Sequence, residues 1–102
     1  MHKRKRKALE ADGWKVGTAQ EFLRLSDEEA ALIDLKLALG RALKERRTRQ
    51  RLSQAAVAAR IRSSQSRVAK MESGDATVSI DLLVRTLLAL GASRKDLAKS
   101  LT

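Results

Sequence analysis

The chain has no cysteine and no proline, one histidine, five glycines and only two aromatic residues, Trp14 and Phe22, among its 102 residues. Without cysteine there is no disulfide, no thiolate metal site and no cysteine nucleophile. The single histidine, His2, stands in a basic N-terminal run, which argues against a histidine acid–base pair or metal site. The lack of proline and the few glycines leave too little punctuation for a many-stranded β fold. With aromatics at 2%, the core must come from Leu, Ile, Val, Ala and Met. No apolar run approaches the roughly 20 residues that a membrane span needs. The basic N-terminus has no apolar stretch behind it of the kind a secretory signal carries, so the expected location is the cytoplasm. Paired carboxylates, a nucleophile–base set, a phosphate loop and metal-ligand clusters are all missing, so neither an enzyme nor a cofactor is expected. What remains is one domain's length of chain, enough to bury a core unaided.

Charge is the strongest positive feature. Lys and Arg number 22 against 12 Asp and Glu, a net charge of +10, which implies a polyanionic partner such as nucleic acid. The charge is unevenly spread. Residues 1–7 carry five basic groups and no acid, residues 8–35 carry two basic and seven acidic groups, and residues 36–102 carry fifteen basic and five acidic groups. The acidic block between two basic ones is either a second partner surface or merely an acidic helix start. The first seven residues form a basic tail that either follows DNA or simply solubilises the chain.

Along the chain the punctuation is helical. Thr18-Ala19-Gln20-Glu21 has the form of a capping box and predicts a short helix through Phe22 and Leu23. Ser26-Asp27-Glu28-Glu29 repeats the device and opens a long helix to about Arg47. Its first half is apolar nearly all round, from Ala30 to Leu39, and so needs cover on every side, from the N-terminal segment or another chain. Gly40 within it marks a close-packing or bend point. Six cations then follow in eleven residues, Arg41, Lys44, Arg46, Arg47, Arg49 and Arg51, with only Glu45 against them. Ser53 caps a short helix from Gln54 to about Arg60. Ser64 caps a second from Gln65 to about Ser73, which Gly74 ends. Ser79 caps a helix from Ile80 to Leu90, stopped by Gly91, with Ile80, Leu83, Val84, Leu87 and Leu90 inward and an outward Asp81–Arg85 pair. Ser93 caps a last short helix with Leu97 and Leu101 on one face. No segment alternates at period two for long enough to be a strand.

At about 100° per residue, the helix from Gln65 to Ser73 places Val68 and Met71 on one side. Ser66, Ala69, Lys70 and Ser73 lie opposite, with Gln65 and Arg67 at the flanks. Val57, Ala58 and Ile61 of the preceding helix face inward, and Ala58 is small enough for a close crossing. Small residues let a helix backbone approach base edges, an amide can bond adenine at two points, and a basic group can read guanine. The bland alternative is a small helical bundle whose polar face is only solvated.

The string LSQAAVAARIRSSQSRVAKMESG, Leu52 to Gly74, decides between them. It resembles the helix-turn-helix of the phage-repressor-like family, also called XRE or Cro/C1-type, in Leu52-Ser53-Gln54, Val57-Ala58, Ser64-Gln65-Ser66, Val68, Lys70-Met71-Glu72 and Gly74. The resemblance covers about Leu35 to Leu90. It implies an all-α fold, a five-helix lambda-repressor-like DNA-binding domain over residues 26–102 behind a short N-terminal helical extension and basic tail at 1–25. It implies base contacts from Gln65, Ser66, Ala69 and Lys70, Arg67 near the phosphate backbone, and Gln54 meeting a phosphate or bracing Gln65; the cationic run into the motif adds Arg47 and Arg51 as phosphate contacts, and Arg62 in the turn adds another. It implies a homodimer on double-stranded operator DNA. Two departures stand out. Arg62 occupies the turn position where the family usually has Gly, at a cost on the order of 1 kcal/mol if the backbone there is left-handed. Ala55 and Ala56 stand where the family often carries an acid.

Upstream, GWKVGTAQEFLRLSDEE, Gly13 to Glu29, is similar to a subgroup of HigA-like antitoxins. That similarity implies an autoregulating repressor that also binds a small basic ribonuclease of RelE/HigB-like fold; Trp14 and Phe22, the only aromatics, lie outside the helix-turn-helix in the acidic block and are the candidate partner-binding residues. The same two side chains otherwise staple the segment onto the long helix. Two further readings stay open: a stand-alone regulator, such as a phage-type repressor or restriction–modification controller, and an adaptor that uses the bundle to dock proteins.

Overall fold

The computed structural model describes residues 26–102. The basic tail, the capping box at Thr18 to Glu21 and its short helix lie outside the described residues. The chain divides into two compact units, Met1–Leu32 and Ile33–Thr102, and the division falls inside the first helix. Five α-helices follow in order, with no strand among the described residues: α1 Asp27–Arg49, α2 Gln54–Arg60, α3 Gln65–Ser73, α4 Ile80–Ala89 and α5 Arg94–Ser100.

Each helix starts where local chemistry satisfies its free amides. Ser26 and Glu29 close a reciprocal box, with the Ser26 N–H donating to Glu29 Oε1 at 2.9 Å and the Glu29 N–H to Ser26 Oγ at 3.1 Å. Asp27, Glu28 and Glu29 fill the first turn of α1, and Arg46, Arg47 and Arg49 its last, as the helix dipole favours. Ser53, Ser64 and Ser79 each accept one amide of the helix they precede. Ser93 and Asp96 form a second full capping box on α5.

Within residues 33–102 the core is one cluster. Leu39 and Leu43 of α1 meet Val57 and Ala58 of α2, Val68 and Met71 of α3, and Leu83 and Leu87 of α4, with Val78, Leu90 and Ala92 closing it from the connections. Ile80, Val84 and Leu97 are only partly buried against it. Thr86 is buried on the same face, its hydroxyl donating to the Leu82 carbonyl at 2.8 Å, so its burial leaves no unmet donor. Gly40 is a close-packing point: a Cβ there would lie 2.6 Å from the Met71 carbonyl oxygen and 2.9 Å from that of Glu72.

Several boundaries differ from the sequence expectation. Helix α1 runs on to Arg49, and α4 ends at Ala89 with Leu90 as its cap. Leu101 does not join Leu97 inward. It is the cap beyond the last turn of α5 and is 44% exposed. Leu32, Ile33, Leu35 and Leu37 in the first half of α1 are 37–44% exposed, while Ala30 and Leu39 of the same stretch are buried.

Candidate nucleic-acid interface

Helices α2 and α3 are short, and the turn between them is tight. The Ser63 N–H bonds back to the Ala58 carbonyl at 2.8 Å and the Arg62 N–H to the Ala59 carbonyl at 3.2 Å. Arg62 itself is left-handed, φ 57°, in the conformation its glycine-like position requires. Val57 and Ala58 from α2 and Val68 and Met71 from α3 are buried, which turns the other side of α3 outward. Gln65, Ser66, Arg67 and Lys70 are exposed there, and Ala69 is half-buried between them.

A line of polar side chains fixes this face from behind. Arg47, near the end of α1, turns inward rather than toward solvent: its Nε and Nη2 donate to the two carboxylate oxygens of Glu72, and its Nη1 donates to the Leu52 carbonyl at 2.8 Å. The two side chains are 13% and 5% exposed. The hydrogen bond to Glu72 holds the Arg47 guanidinium above its ordinary value, against the opposing effect of burial. Gln54 Nε2 donates to Glu72 Oε1 at 3.1 Å, and Gln65 Nε2 donates to Gln54 Oε1 at 3.3 Å. This order follows from the chemistry. A carboxylate only accepts, so Gln54 must show Glu72 its NH₂, and its own oxygen is left to accept from Gln65. Gln65 then keeps its carbonyl oxygen and a second N–H free, the pair that meets adenine at two points.

The structure gives Arg47 and Gln54, both named above for phosphate, partners within the protein, and for Gln54 the partner is the Gln65 that the sequence offered as its alternative. The guanidinium of Arg47 is taken up by Glu72 and the Leu52 carbonyl, and Gln54 bonds Glu72 and Gln65. Arg51, Arg62 and Arg67 stay exposed. Trp14 and Phe22 lie outside the described residues. The sequence reading missed the role of Glu72, although a signal existed: it is the single acid between Glu45 and Asp75, in a stretch with eight Lys and Arg. It also missed Thr77, which lines a cleft of about 140 Å³ with Ser64, Ser66, Arg67 and Lys70. Asp75 orients Thr77 by accepting from its amide and hydroxyl at 2.8 and 2.6 Å, and these bonds hold the Asp75 carboxyl below its ordinary value.

Among the described residues, no group of three or more His, Cys, Asp or Glu side chains is placed to hold a metal ion. No described helix is long and apolar enough to cross a membrane. Compared with known protein families, residues 38–99 match a helix-turn-helix domain. No curated protein and no solved structure matches the chain.

Proposed function

The chain belongs to the helix-turn-helix domain family, in its XRE (Cro/C1) form, and is a DNA-binding regulatory domain rather than an enzyme; from that premise we propose that it is a stand-alone, sequence-specific transcriptional repressor that lays α3 in the major groove of its operator. Base edges are read by Gln65, Ser66, Ala69 and Lys70, and the flanking phosphates are held by Arg51, Arg62 and Arg67. The observation that carries this reading is the ordered line from Arg47 through Glu72 and Gln54 to Gln65, which leaves one outward amide with its donor and acceptor in a set order. A merely solvated helix face has no use for such an arrangement. The test compares operator with random duplex. Gln65→Ala and Lys70→Ala each lose about 1–3 kcal/mol of discrimination, whereas Arg67→Ala weakens both duplexes alike. A Gln65→Ala protein that lost the same factor on both would remove Gln65 from base reading.

The acidic block at residues 8–35, which holds both aromatics, favours a second reading. In it the chain is also a HigA-like antitoxin that represses its own operon and captures a basic RelE-like ribonuclease through Trp14 and Phe22. Aromatics are enriched at interface hot spots, and the sign of the block suits a basic partner. The Trp14→Ala, Phe22→Ala double variant then fails to pull down the toxin encoded beside it while operator binding persists. Toxin capture at wild-type affinity by that variant would exclude this arm.

A further inference from the structure

Helices α1 to α4 all end in the same hydrogen-bonded turn. In each, one amide reaches back five residues and the preceding amide reaches back three: Leu52 to Arg47 and Arg51 to Thr48, Ser63 to Ala58 and Arg62 to Ala59, Asp75 to Lys70 and Gly74 to Met71, and Ala92 to Leu87 and Gly91 to Leu88. This is the Schellman arrangement, whose pivotal residue is left-handed and is usually glycine. The pivots here are Arg51, Arg62, Gly74 and Gly91, with φ of 58°, 57°, 72° and 92°.

Space alone does not explain the choice of residue at all four pivots. At Gly74 a Cβ would lie 2.7 Å from Leu37 Cδ2 and 3.1 Å from Leu37 Cα, so crowding adds there to the preference of the left-handed backbone for glycine. At Gly91 nothing lies within 4 Å of where a Cβ would stand, yet glycine is used, as the backbone conformation favours. The chain departs from glycine at the two pivots that bracket α2, and both times the replacement is arginine. The surroundings match as well. Arg51-Leu52-Ser53-Gln54 and Arg62-Ser63-Ser64-Gln65 each run pivot, spacer, cap serine, glutamine. The two glutamines are bonded to each other, so each exposed arginine stands three residues before one member of the pair that presents the base-reading amide. The sugar–phosphate backbone borders any surface that reads base edges.

We propose that two of the phosphate contacts assigned above, Arg51 and Arg62, act as a matched pair that is kept in left-handed backbone, where glycine would fit better, at the expense of the stability of the free protein. The inference rests on the DNA reading above and adds to it a definite trade between fold and affinity. Strained conformations of this kind collect where function requires the side chain.

The experiment measures two quantities on full-length Arg51→Gly, Arg62→Gly, Arg51→Ala and Arg62→Ala: the melting temperature without DNA, and the slope of log K against log salt on a random-sequence duplex. Each glycine variant melts roughly 4–8 °C higher than wild type, the shift that relief of one left-handed side chain gives in a domain this size. Its salt slope is shallower by about 0.9, one phosphate's share. Each alanine variant shows the same loss of slope without the rise in melting temperature, because alanine keeps the strain and loses only the cation. Glycine variants that melt no higher than wild type overturn the strain, and an unchanged slope overturns the contact. A wild-type chain with no salt-dependent affinity for duplex DNA fails the underlying DNA reading instead.

Discussion

Glu72 sits at the end of α3 with its carboxylate nearly closed off from water, and both Arg47 and Gln54 donate to it. A buried ion pair contributes little net stability compared with an apolar pair of the same shape, but losing one partner strands the other. Glu72→Gln therefore costs about 3 kcal/mol in a urea unfolding curve, since Arg47 keeps its charge without an opposing one. The same variant degrades base reading for a separate reason. An amide at position 72 can present either its oxygen or its NH₂ to Gln54, so the orientation of Gln54, and with it that of Gln65, is no longer imposed. Discrimination between operator and random duplex falls even at temperatures where the variant is fully folded. Arg47→Ala acts mainly on the fold, by leaving the Glu72 carboxylate unpaired. An unfolding midpoint for Arg47→Ala equal to wild type would contradict this. Very little of this was legible in sequence. Arg47 looks like one more cation in a basic run, because the acid that captures it is 25 residues away.

At the scale of elements, the helix starts were legible and the helix contacts were not. Ser53, Ser64, Ser79 and Ser93 declare themselves because a cap is settled by its own residue and the few that follow. The 3.6-residue period sets Leu101 on one face with Leu97 only if it continues past Ser100, where the helix has stopped. Thr86 is buried although polar, and nothing local in the sequence announces it, because its hydroxyl is satisfied within its own helix. Gly40 was legible only as a choice between packing and bending. The backbone of α3 settles it, and two expectations follow. Gly40→Ala must push α1 off the end of α3, because the contacted atoms are backbone carbonyls that cannot rotate away. Its cost is about 1–3 kcal/mol, and it shifts the platform that carries Glu72, so operator affinity falls with stability. A Gly40→Ala protein with wild-type melting temperature would show that the two helices do not touch. The second expectation concerns α5. The Ser93 amide and hydroxyl hold the Asp96 carboxyl below its ordinary value of 3.8, with Arg46 adding to the effect. A carboxyl lowered by folding stabilises the native state above its unfolded value, and that contribution is lost as the pH falls through the folded one. The melting temperature thus declines as pH drops below about 4, and Asp96→Asn flattens the decline at its α5 end. Identical acid limbs for the two proteins would show that the cap is not linked to protonation.

For the whole molecule, the question is how many copies meet the operator, and charge and geometry together bear on it. One α3 offers a handful of outward side chains, and each well-made base contact discriminates by only about 1–3 kcal/mol. A repressor must exceed its own non-specific binding by roughly 10³-fold or more, which few contacts from a single helix can reach. Two copies related by a two-fold axis double the contacts and read half-sites about 34–36 Å apart, one turn of the duplex. The same doubling shows in the salt dependence. With Arg47 committed to Glu72 and Gln54 to Gln65, the phosphate set proposed above is three per copy, Arg51, Arg62 and Arg67. Three phosphates give a slope of log K against log salt of about −3, and six give about −5. We expect the steeper slope on a two-half-site duplex. Deleting one half-site, or inserting five base pairs between the two so that they face opposite sides, should bring the slope toward −3 and lower the affinity steeply. Wild-type affinity on a single half-site, with a slope that stays near −3 on both duplexes, would establish that one copy is the functional unit.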